Sequence, residues 1–194
     1  MNFGIVVEGV RDAEAYSEVI RKIRNDVEAI VPYPCHGNST LKKQFLKGLE
    51  SFQWYAPNSA YAINKALVIV DTDCSDAALR EAELGQIYQR SHLALGFPVH
   101  FHGTKCELET WLLADENAMN QVAQTRGRNK YLAPVNIQFE TYRDAKELFQ
   151  KRLSEAKLPD TPQVYKEIAG FADVQRILAS CPLFQQFINK VQRC

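Results

Sequence analysis

Several common sequence features are missing from this chain of 194 residues, and each absence excludes a class of protein. No apolar run approaches the roughly 20 residues that a membrane-spanning helix needs, so we expect no membrane association. Neither charge is in excess, because 23 Lys and Arg balance 23 Asp and Glu, which argues against a broadly basic protein that coats nucleic acid. The start of the chain has no basic segment followed by an apolar stretch, so we expect no signal peptide.

Two short motifs are missing as well. The five cysteines include no CxxC pair, and their number is odd: Cys35, Cys74, Cys106, Cys181 and Cys194. This usage predicts reduced thiols in a cytoplasmic protein. The phosphate-binding motif GxxxxGK[ST] is also absent, so an ATPase activity would have to come from a separately encoded partner chain.

The first half of the chain contains alternating strand and helix patterns. Short apolar runs typical of buried strands occur at 3–7, 28–34, 66–70 and 97–101, with amphipathic helical patterns between them. This β-α-β-α-β-α-β order predicts a mostly parallel four-stranded α/β sheet flanked by helices, over residues 1–105. Residues 106–194 carry helical patterns and few strand signals, so we expect a helical C-terminal region packed on this core.

Carboxylates follow two of the predicted strands. Glu8 ends the first strand, and Asp71 and Asp73 end the third. In open α/β folds the carboxyl ends of the strands form the ligand-binding edge, and carboxylates that meet there favour a hard divalent cation. Asp12 lies one helical turn after Glu8 and can point back towards it. The alternative is that these acids cap helices or lie in solvated loops of an ordinary α/β domain.

These motifs also resemble a known fold. Val6-Val7-Glu8-Gly9, followed by Asp12, and Val68-Ile69-Val70-Asp71-Thr72-Asp73 resemble the two signature elements of the TOPRIM fold. The run from Glu107 to Asp115 and the ending Cys181-Pro182-Leu183-Phe184 are similar to a compact bacterial family related to OLD (overcoming lysogenization defect) nucleases. That family has long been labelled only as a domain of unknown function, and the resemblance covers nearly the full chain.

The resemblance implies a nuclease that depends on Mg²⁺ or Mn²⁺ and acts on DNA or RNA in phage defence. Glu8 takes the place of the TOPRIM glutamate, which binds metal or acts as an acid or base, and Asp71 and Asp73 take the places of the metal-binding pair. Asp12 falls where OLD-like members have a further acid, which would support a second metal, although the compact family usually has glutamate there. Glu109 takes the place of the acid before tryptophan and is an additional candidate ligand, with packing or helix capping as the alternative.

Several basic residues are candidates for contacts with a nucleic acid. Lys105 follows the fourth strand and could stabilise transition-state charge, or it could be a solvated loop lysine. Arg126, Arg128 and Lys130 could contact a nucleic-acid backbone, and a solvated loop is the alternative.

Two histidines in the fourth strand are a separate candidate. His100 and His102 lie two positions apart, so both rings would share one face of the strand, an arrangement that can suit a transition metal. Histidines satisfied at a half-buried sheet edge are the alternative.

Two other functions stay open. The run from Asp71 to Ser75 loosely resembles the DxDx[TV] motif of haloacid-dehalogenase-like phosphatases, in which Asp71 would be the nucleophile. That motif normally opens its domain, whereas a complete β-α-β-α unit precedes it here. The chain could instead be a non-catalytic or partner-activated metal-binding subunit of a defence ATPase. A homodimer is also possible.

Overall fold

A computed structural model describes residues 1–54, 62–128 and 131–193. The four predicted strands form one parallel sheet in the order β2-β1-β3-β4. Their bounds are β1 Asn2–Val7, β2 Ala29–Pro34, β3 Lys65–Asp71 and β4 Val99–Thr104. Strand β4 begins two residues later than the sequence predicts, because Pro98 has no N–H to donate to the sheet.

Three helices connect the strands, and the rest of the described chain is mainly helical. The connecting helices are α1 Val10–Ile23, α2 Asn38–Gln53 and α3 Ala77–Ser91. The C-terminal helices are α4 Leu108–Leu113, α5 Glu116–Thr125, α6 Ala145–Glu155, α7 Pro162–Phe171, α8 Val174–Ser180 and α9 Phe184–Gln192, with a 3-10 turn at Phe139–Thr141. Within the described ranges, no helix is both long and apolar enough to cross a membrane.

Side chains alternate between the two faces of the sheet, so each face has its own hydrophobic core. Phe3, Ile5 and Val7 pack with α1 and the C-terminal helices, whereas Val6 and Val68 pack with α2 and α3. The α/β fold class is therefore confirmed, with the C-terminal helices covering one face of the sheet. The division of the chain into two domains at residue 105 stays a prediction.

The order of the strands brings the two acid-bearing strands side by side. Strand β1 pairs with β3, with Val6 opposite Val68. From this central pair the chain extends to β2 on one side and to β4 on the other. Such a reversal of strand order opens a crevice at the carboxyl ends of the strands, where α/β folds bind ligands.

The expectation of reduced thiols is wrong for two cysteines. Cys74 and Cys106 form a disulfide, because the loops that follow β3 and β4 meet at the same edge of the sheet. Cys35 and Cys181 are free and buried, and Cys194 lies outside the described residues. Disulfides are rare in cytosolic proteins, so the cytoplasmic location stays a prediction.

Candidate active site

Four carboxylates from separate parts of the chain line one cavity at the carboxyl edge of the sheet. Glu8 follows β1, Asp12 lies in the first turn of α1, Asp71 ends β3 and Glu109 lies in α4. The cavity has a volume of about 430 Å³. The sequence-predicted acids Glu8 and Asp71 are directly linked, since the backbone N–H of Asp71 donates to Glu8 Oε1 at 3.0 Å.

The loop after β2 holds Glu8 from the other side. The N–H of Gly37 donates to the Glu8 carbonyl at 2.8 Å, and the N–H of Cys35 donates to the Val7 carbonyl at 2.9 Å. Gly37 has a φ of +120°, a conformation that favours glycine. Two neighbouring strand ends therefore fix the position of Glu8.

Burial and mutual repulsion disfavour ionisation of these carboxylates in the cation-free protein. Burial raises the pKa of Asp71 well above its usual range, and the charges of Asp12, Glu8 and Glu109 raise it further. The pKa of Glu8 is raised to about 7, mainly by burial, with smaller contributions from the charges of Asp12 and Asp73. The pKa of Glu109 is also raised to about 7, mainly by burial. A bound cation would relieve this repulsion.

Asp12 and Glu109 each have a local structural partner as well. Asp12 Oδ2 accepts a hydrogen bond from the N–H of Gly9 at 2.8 Å, which satisfies a donor at the start of α1. The hydroxyl of Tyr165 donates to Glu109 Oε1 at 3.0 Å, and Glu109 is almost completely buried. The capping and packing roles considered from the sequence are thus present, alongside the place of both acids in the cavity wall.

Asp73 lies at the outside of this cluster. Its side chain is exposed, it is not among the residues that line the cavity, and its charge raises the pKa of Glu8. Its backbone has a φ of 49°, and its N–H donates to the carbonyl of Cys106 at 3.1 Å. The assignment of Asp73 as a metal ligand stays a prediction.

Basic side chains that sequence reasoning missed also line the cavity. Lys146 from α6 and Arg11 from α1 belong to its wall. Burial lowers the pKa of Lys146, but the nearby charges of Glu109, Glu107 and Asp12 more than offset this, so its pKa is raised overall. Arg11 pairs with Asp160 at 3.1 Å. No motif marks Lys146, because it joins the site only through the packing of α6 near α4.

The other predicted basic residues lie elsewhere. Lys105 lines a second cavity, where its Nζ donates to the carbonyls of Cys74 and Ser75 at 2.9 Å each. Arg126 follows α5 and pairs with Glu167 at 2.7 Å, and Arg128 is exposed. Lys130 lies outside the described residues. None of the described three lines the carboxylate cavity.

The carboxylates of this cavity suit a hard divalent cation, but in the described residues their side chains are not arranged around a single ion position. Carboxylate oxygens are the protein ligands that Mg²⁺ and Mn²⁺ prefer. Among the described residues, however, no three His, Cys, Asp or Glu side chains are arranged to hold an ion. Oxygens of Glu8, Asp12 and Glu109 accept hydrogen bonds instead. Cation binding would therefore require some of these side chains to rotate.

A comparison with known protein families finds that the chain matches one family model. The model, described as DUF4276, a domain of unknown function, matches residues 7–192. This agrees with the expectation of a family labelled only as a domain of unknown function. No curated protein matches the chain.

A solved structure gives a weaker likeness. It is the C-terminal region of the Xanthomonas campestris pv. campestris OLD protein, with 11% sequence identity and a TM-score of 0.46. The likeness covers 96% of each chain. At this level of similarity the TOPRIM assignment and a bacterial origin stay predictions.

Proposed function

The chain belongs to the DUF4276 family, and we propose that it is a nuclease that depends on a divalent cation and hydrolyses phosphodiester bonds. The observation that carries this proposal is the convergence of Glu8, Asp12, Asp71 and Glu109 in one cavity at the reversal point of the sheet. Burial raises the pKa of all four carboxyl groups, and neighbouring carboxylates add to the shift for Glu8, Asp71 and Glu109, so a bound cation would favour their ionised forms. The motif resemblance to TOPRIM nucleases favours phosphodiesters among the reactions that use Mg²⁺ or Mn²⁺.

The cavity offers a role for each group. Glu8, Asp12 and Asp71 would hold the cation, with Asp73 and Glu109 as further candidates. When bound, the cation supplies a Lewis acid for the phosphoryl oxygens. Glu8 would alternatively accept a proton from the attacking water, which is the second role that the resemblance implies for this glutamate.

Lys146 is suited to oppose negative charge that develops on the phosphate. It lines the same cavity, and its raised pKa keeps it positively charged beside the carboxylates. The proposal also takes nucleic acid as the substrate and phage defence as the setting. The residues proposed to contact the nucleic acid are Lys105, Arg126, Arg128 and Lys130.

One observation favours a second candidate, a metal-binding subunit that a partner activates. In the described residues no three ligands are arranged around one point, so the site as it stands is incomplete. A substrate strand or an ATPase partner could drive the final rearrangement. On this alternative the isolated chain binds a cation and does not turn over substrate.

Cleavage assays test the proposal. Supercoiled plasmid, single-stranded DNA and tRNA are each incubated with Mg²⁺, Mn²⁺ or EDTA, using the wild type, Asp71→Asn and the surface control Glu50→Gln. We expect cleavage only with a divalent ion, and a loss of about 100-fold or more in Asp71→Asn. Glu50 is exposed on α2, so its variant should cleave like the wild type.

Other results separate the alternatives. Cleavage in EDTA, or full activity of Asp71→Asn, contradicts the proposal. Cation binding without turnover, together with a co-purifying ATPase, favours the partner-activated subunit. Hydrolysis of a phosphomonoester with a trapped aspartyl-phosphate on Asp71 favours the dehalogenase-like phosphatase.

A further inference from the structure

The Cys74–Cys106 disulfide lies beside the carboxylate cavity. Cys74 directly follows Asp73 in the loop after β3, and Cys106 lies in the loop between β4 and α4. Helix α4 carries Glu109, which lines the cavity. The disulfide therefore joins the two loops that lead to candidate ligands of the cation, Asp73 on one side and Glu109 on the other.

Backbone hydrogen bonds attach the Asp73 loop to the same cysteine. The N–H groups of Thr72 and Asp73 both donate to the Cys106 carbonyl, at 3.0 and 3.1 Å. The N–H of Ser75 donates to the Thr72 carbonyl at 2.8 Å, which closes a tight turn with Asp73 and Cys74 at its centre. The disulfide adds a covalent link to this turn, so the turn keeps one conformation while the disulfide is intact.

The two loops contain backbone conformations that residues with side chains seldom adopt. Asp73 has a φ of 49°, Cys74 a φ of 61° and Cys106 a φ of 62°, all in the left-handed region. None of the three is glycine, so each conformation has a cost that other interactions must offset. Two of the three residues are the linked cysteines. Cutting the link would let the turn relax to a more favourable backbone conformation.

In the disulfide form Asp73 does not take part in the cavity. Its side chain is exposed and is not in the cavity wall, although its charge contributes to the raised pKa of Glu8. The Asp73 carboxylate is therefore near the cluster without belonging to it. Over the described ranges of the chain, no three potential ligands surround a single ion position. A change in the turn that moved Asp73 inwards would add a ligand to this incomplete site.

We propose that the Cys74–Cys106 disulfide is a redox switch for cation binding at the carboxylate cavity. The disulfide holds Asp73 outside the cavity, and reduction releases the turn so that Asp73 joins Glu8 and Asp71 around the cation. This assignment rests on the proposed function, because it concerns the regulation of the same cation site. Disulfides in cytosolic proteins are usually transient and redox-sensing, so such a switch agrees with the predicted location.

A dithiol supplies the electrons for the switch. Cys74 is partly exposed and lines the second cavity, whereas Cys106 is fully buried, so the dithiol attacks at Cys74. One thiolate of the dithiol bonds to Cys74 Sγ, the S–S bond breaks, and Cys106 leaves as a thiolate. The other thiolate of the dithiol then attacks the sulfur bonded to Cys74 and releases Cys74. The dithiol becomes a disulfide, and its two protons end on the two cysteine thiols.

The buried thiol that reduction creates has an acceptor close by. Cys106 Sγ lies 3.4 Å from the carbonyl of Glu140, within reach of a hydrogen bond from a thiol. In the disulfide this sulfur carries no hydrogen to donate. The surroundings of Cys106 therefore suit the reduced form as well as the oxidised one.

Calorimetric titration with Mn²⁺ compares the two redox forms of the wild type. One sample is reduced with dithiothreitol, the other is kept oxidised, and both are desalted under nitrogen so that no thiol reagent competes for the cation. Titration of thiols in unfolded samples checks that the reduced form has gained the thiols of Cys74 and Cys106. We expect the reduced form to bind Mn²⁺ about tenfold or more tightly, because one more carboxylate reaches the ion.

Three variants assign this change to the disulfide and to Asp73. The double variant Cys74→Ser, Cys106→Ser should bind Mn²⁺ like the reduced wild type and should not respond to dithiothreitol. Asp73→Asn should bind Mn²⁺ equally in both redox forms, because the side chain that reduction releases carries no charge. The exposed Glu50→Gln is the control and should keep the full response to reduction.

The outcomes separate the switch from the proposed nuclease. Equal Mn²⁺ affinity of the two wild-type forms, tighter binding by the oxidised form, or a full response in Asp73→Asn would overturn the switch and leave the nuclease in place. A redox response of Mn²⁺ binding without cleavage of any nucleic acid by the reduced form would overturn the nuclease and keep the switch. Binding of Mn²⁺ by neither form would overturn both.

Discussion

Glu8 shows at the scale of single residues how the fold changes the chemistry of a side chain. It is partly buried, it accepts a hydrogen bond from the Asp71 backbone, and its pKa is raised to about 7. The sequence predicted that Glu8 and Asp71 lie at the same edge of the sheet, because both follow apolar strands. It did not predict Lys146, which is 75 positions after Asp71 and joins the cavity through helix packing.

The pKa of Glu8 predicts an unusual dependence of stability on pH. Because the folded-state value of about 7 exceeds the ordinary value of 4.5, the folded protein binds the proton more tightly than the unfolded chain. The free energy of unfolding of the cation-free protein should therefore fall as pH rises from about 4.5 to about 7. Thermal melts in EDTA across this range measure the effect.

Glu8→Gln isolates the contribution of Glu8 in those melts. The amide oxygen can still accept the Asp71 N–H but carries no charge. We expect the melting temperature at pH 8 to rise by about 2–4 °C, with little change at pH 4.5. The exposed Glu50→Gln serves as the control. Parallel pH curves for the wild type and Glu8→Gln would refute the assigned shift.

Lys146 is predicted to support catalysis through its charge. Lys146→Met should lower cleavage by about 10- to 100-fold, because it removes the positive charge of the lysine that interacts with Glu109, Asp12 and Asp71. Lys146→Arg should recover part of the activity. The control is Lys151→Met, an exposed lysine of the same helix. Unchanged cleavage in Lys146→Met would show that this charge has no role.

At the scale of the elements, hydrophobic periodicity was sufficient to predict all four strands and the helices between them. The shift at the start of β4 came from Pro98, which a count of apolar residues ignores. Long-range polar contacts between elements could not be predicted. Lys65, at the start of β3, is fully buried, and its Nζ donates to carbonyls at the end of α9, including that of Lys190 at 2.7 Å.

Lys65 is therefore predicted to hold α9 against the sheet. Its Nζ also donates to the carbonyls of Val191 and Arg193, at the negative end of the helix dipole. Lys65→Met would leave these acceptors without their donor and should lower the free energy of unfolding by about 2 kcal/mol or more. Urea denaturation measures the loss. Lys47→Met, on the exposed face of α2, should change stability little, and an equal loss there would contradict this role.

The Cys74–Cys106 disulfide joins the loops that follow β3 and β4. It closes a loop with a sequence separation of 32, for which chain entropy predicts a stabilisation of about 3–4 kcal/mol. The double variant Cys74→Ser, Cys106→Ser should lose about this much, and added reductant should not destabilise it further. A digest without reductant that contains no linked peptide would show that these cysteines are not paired in the protein.

At the scale of the whole molecule, the net charge is zero, but the charged side chains are unevenly distributed. Carboxylates concentrate at the carboxyl edge of the sheet, while Arg126 pairs with Glu167 away from that cavity. The sequence predicted the α/β class and the edge at which the acids lie. It did not determine that β1 and β3 are neighbours, because strand order depends on how α1 and the C-terminal helices pack on one face.

Cation binding at this edge is the central claim, and calorimetric titration tests it most directly. Mn²⁺ is titrated into the wild type, Asp71→Asn and Glu50→Gln at pH 8, where the carboxylates are more fully ionised. We predict saturable binding to the wild type and Glu50→Gln, weakened by about tenfold or more in Asp71→Asn. Equal binding by Asp71→Asn and the wild type, or no binding by either, would contradict the account.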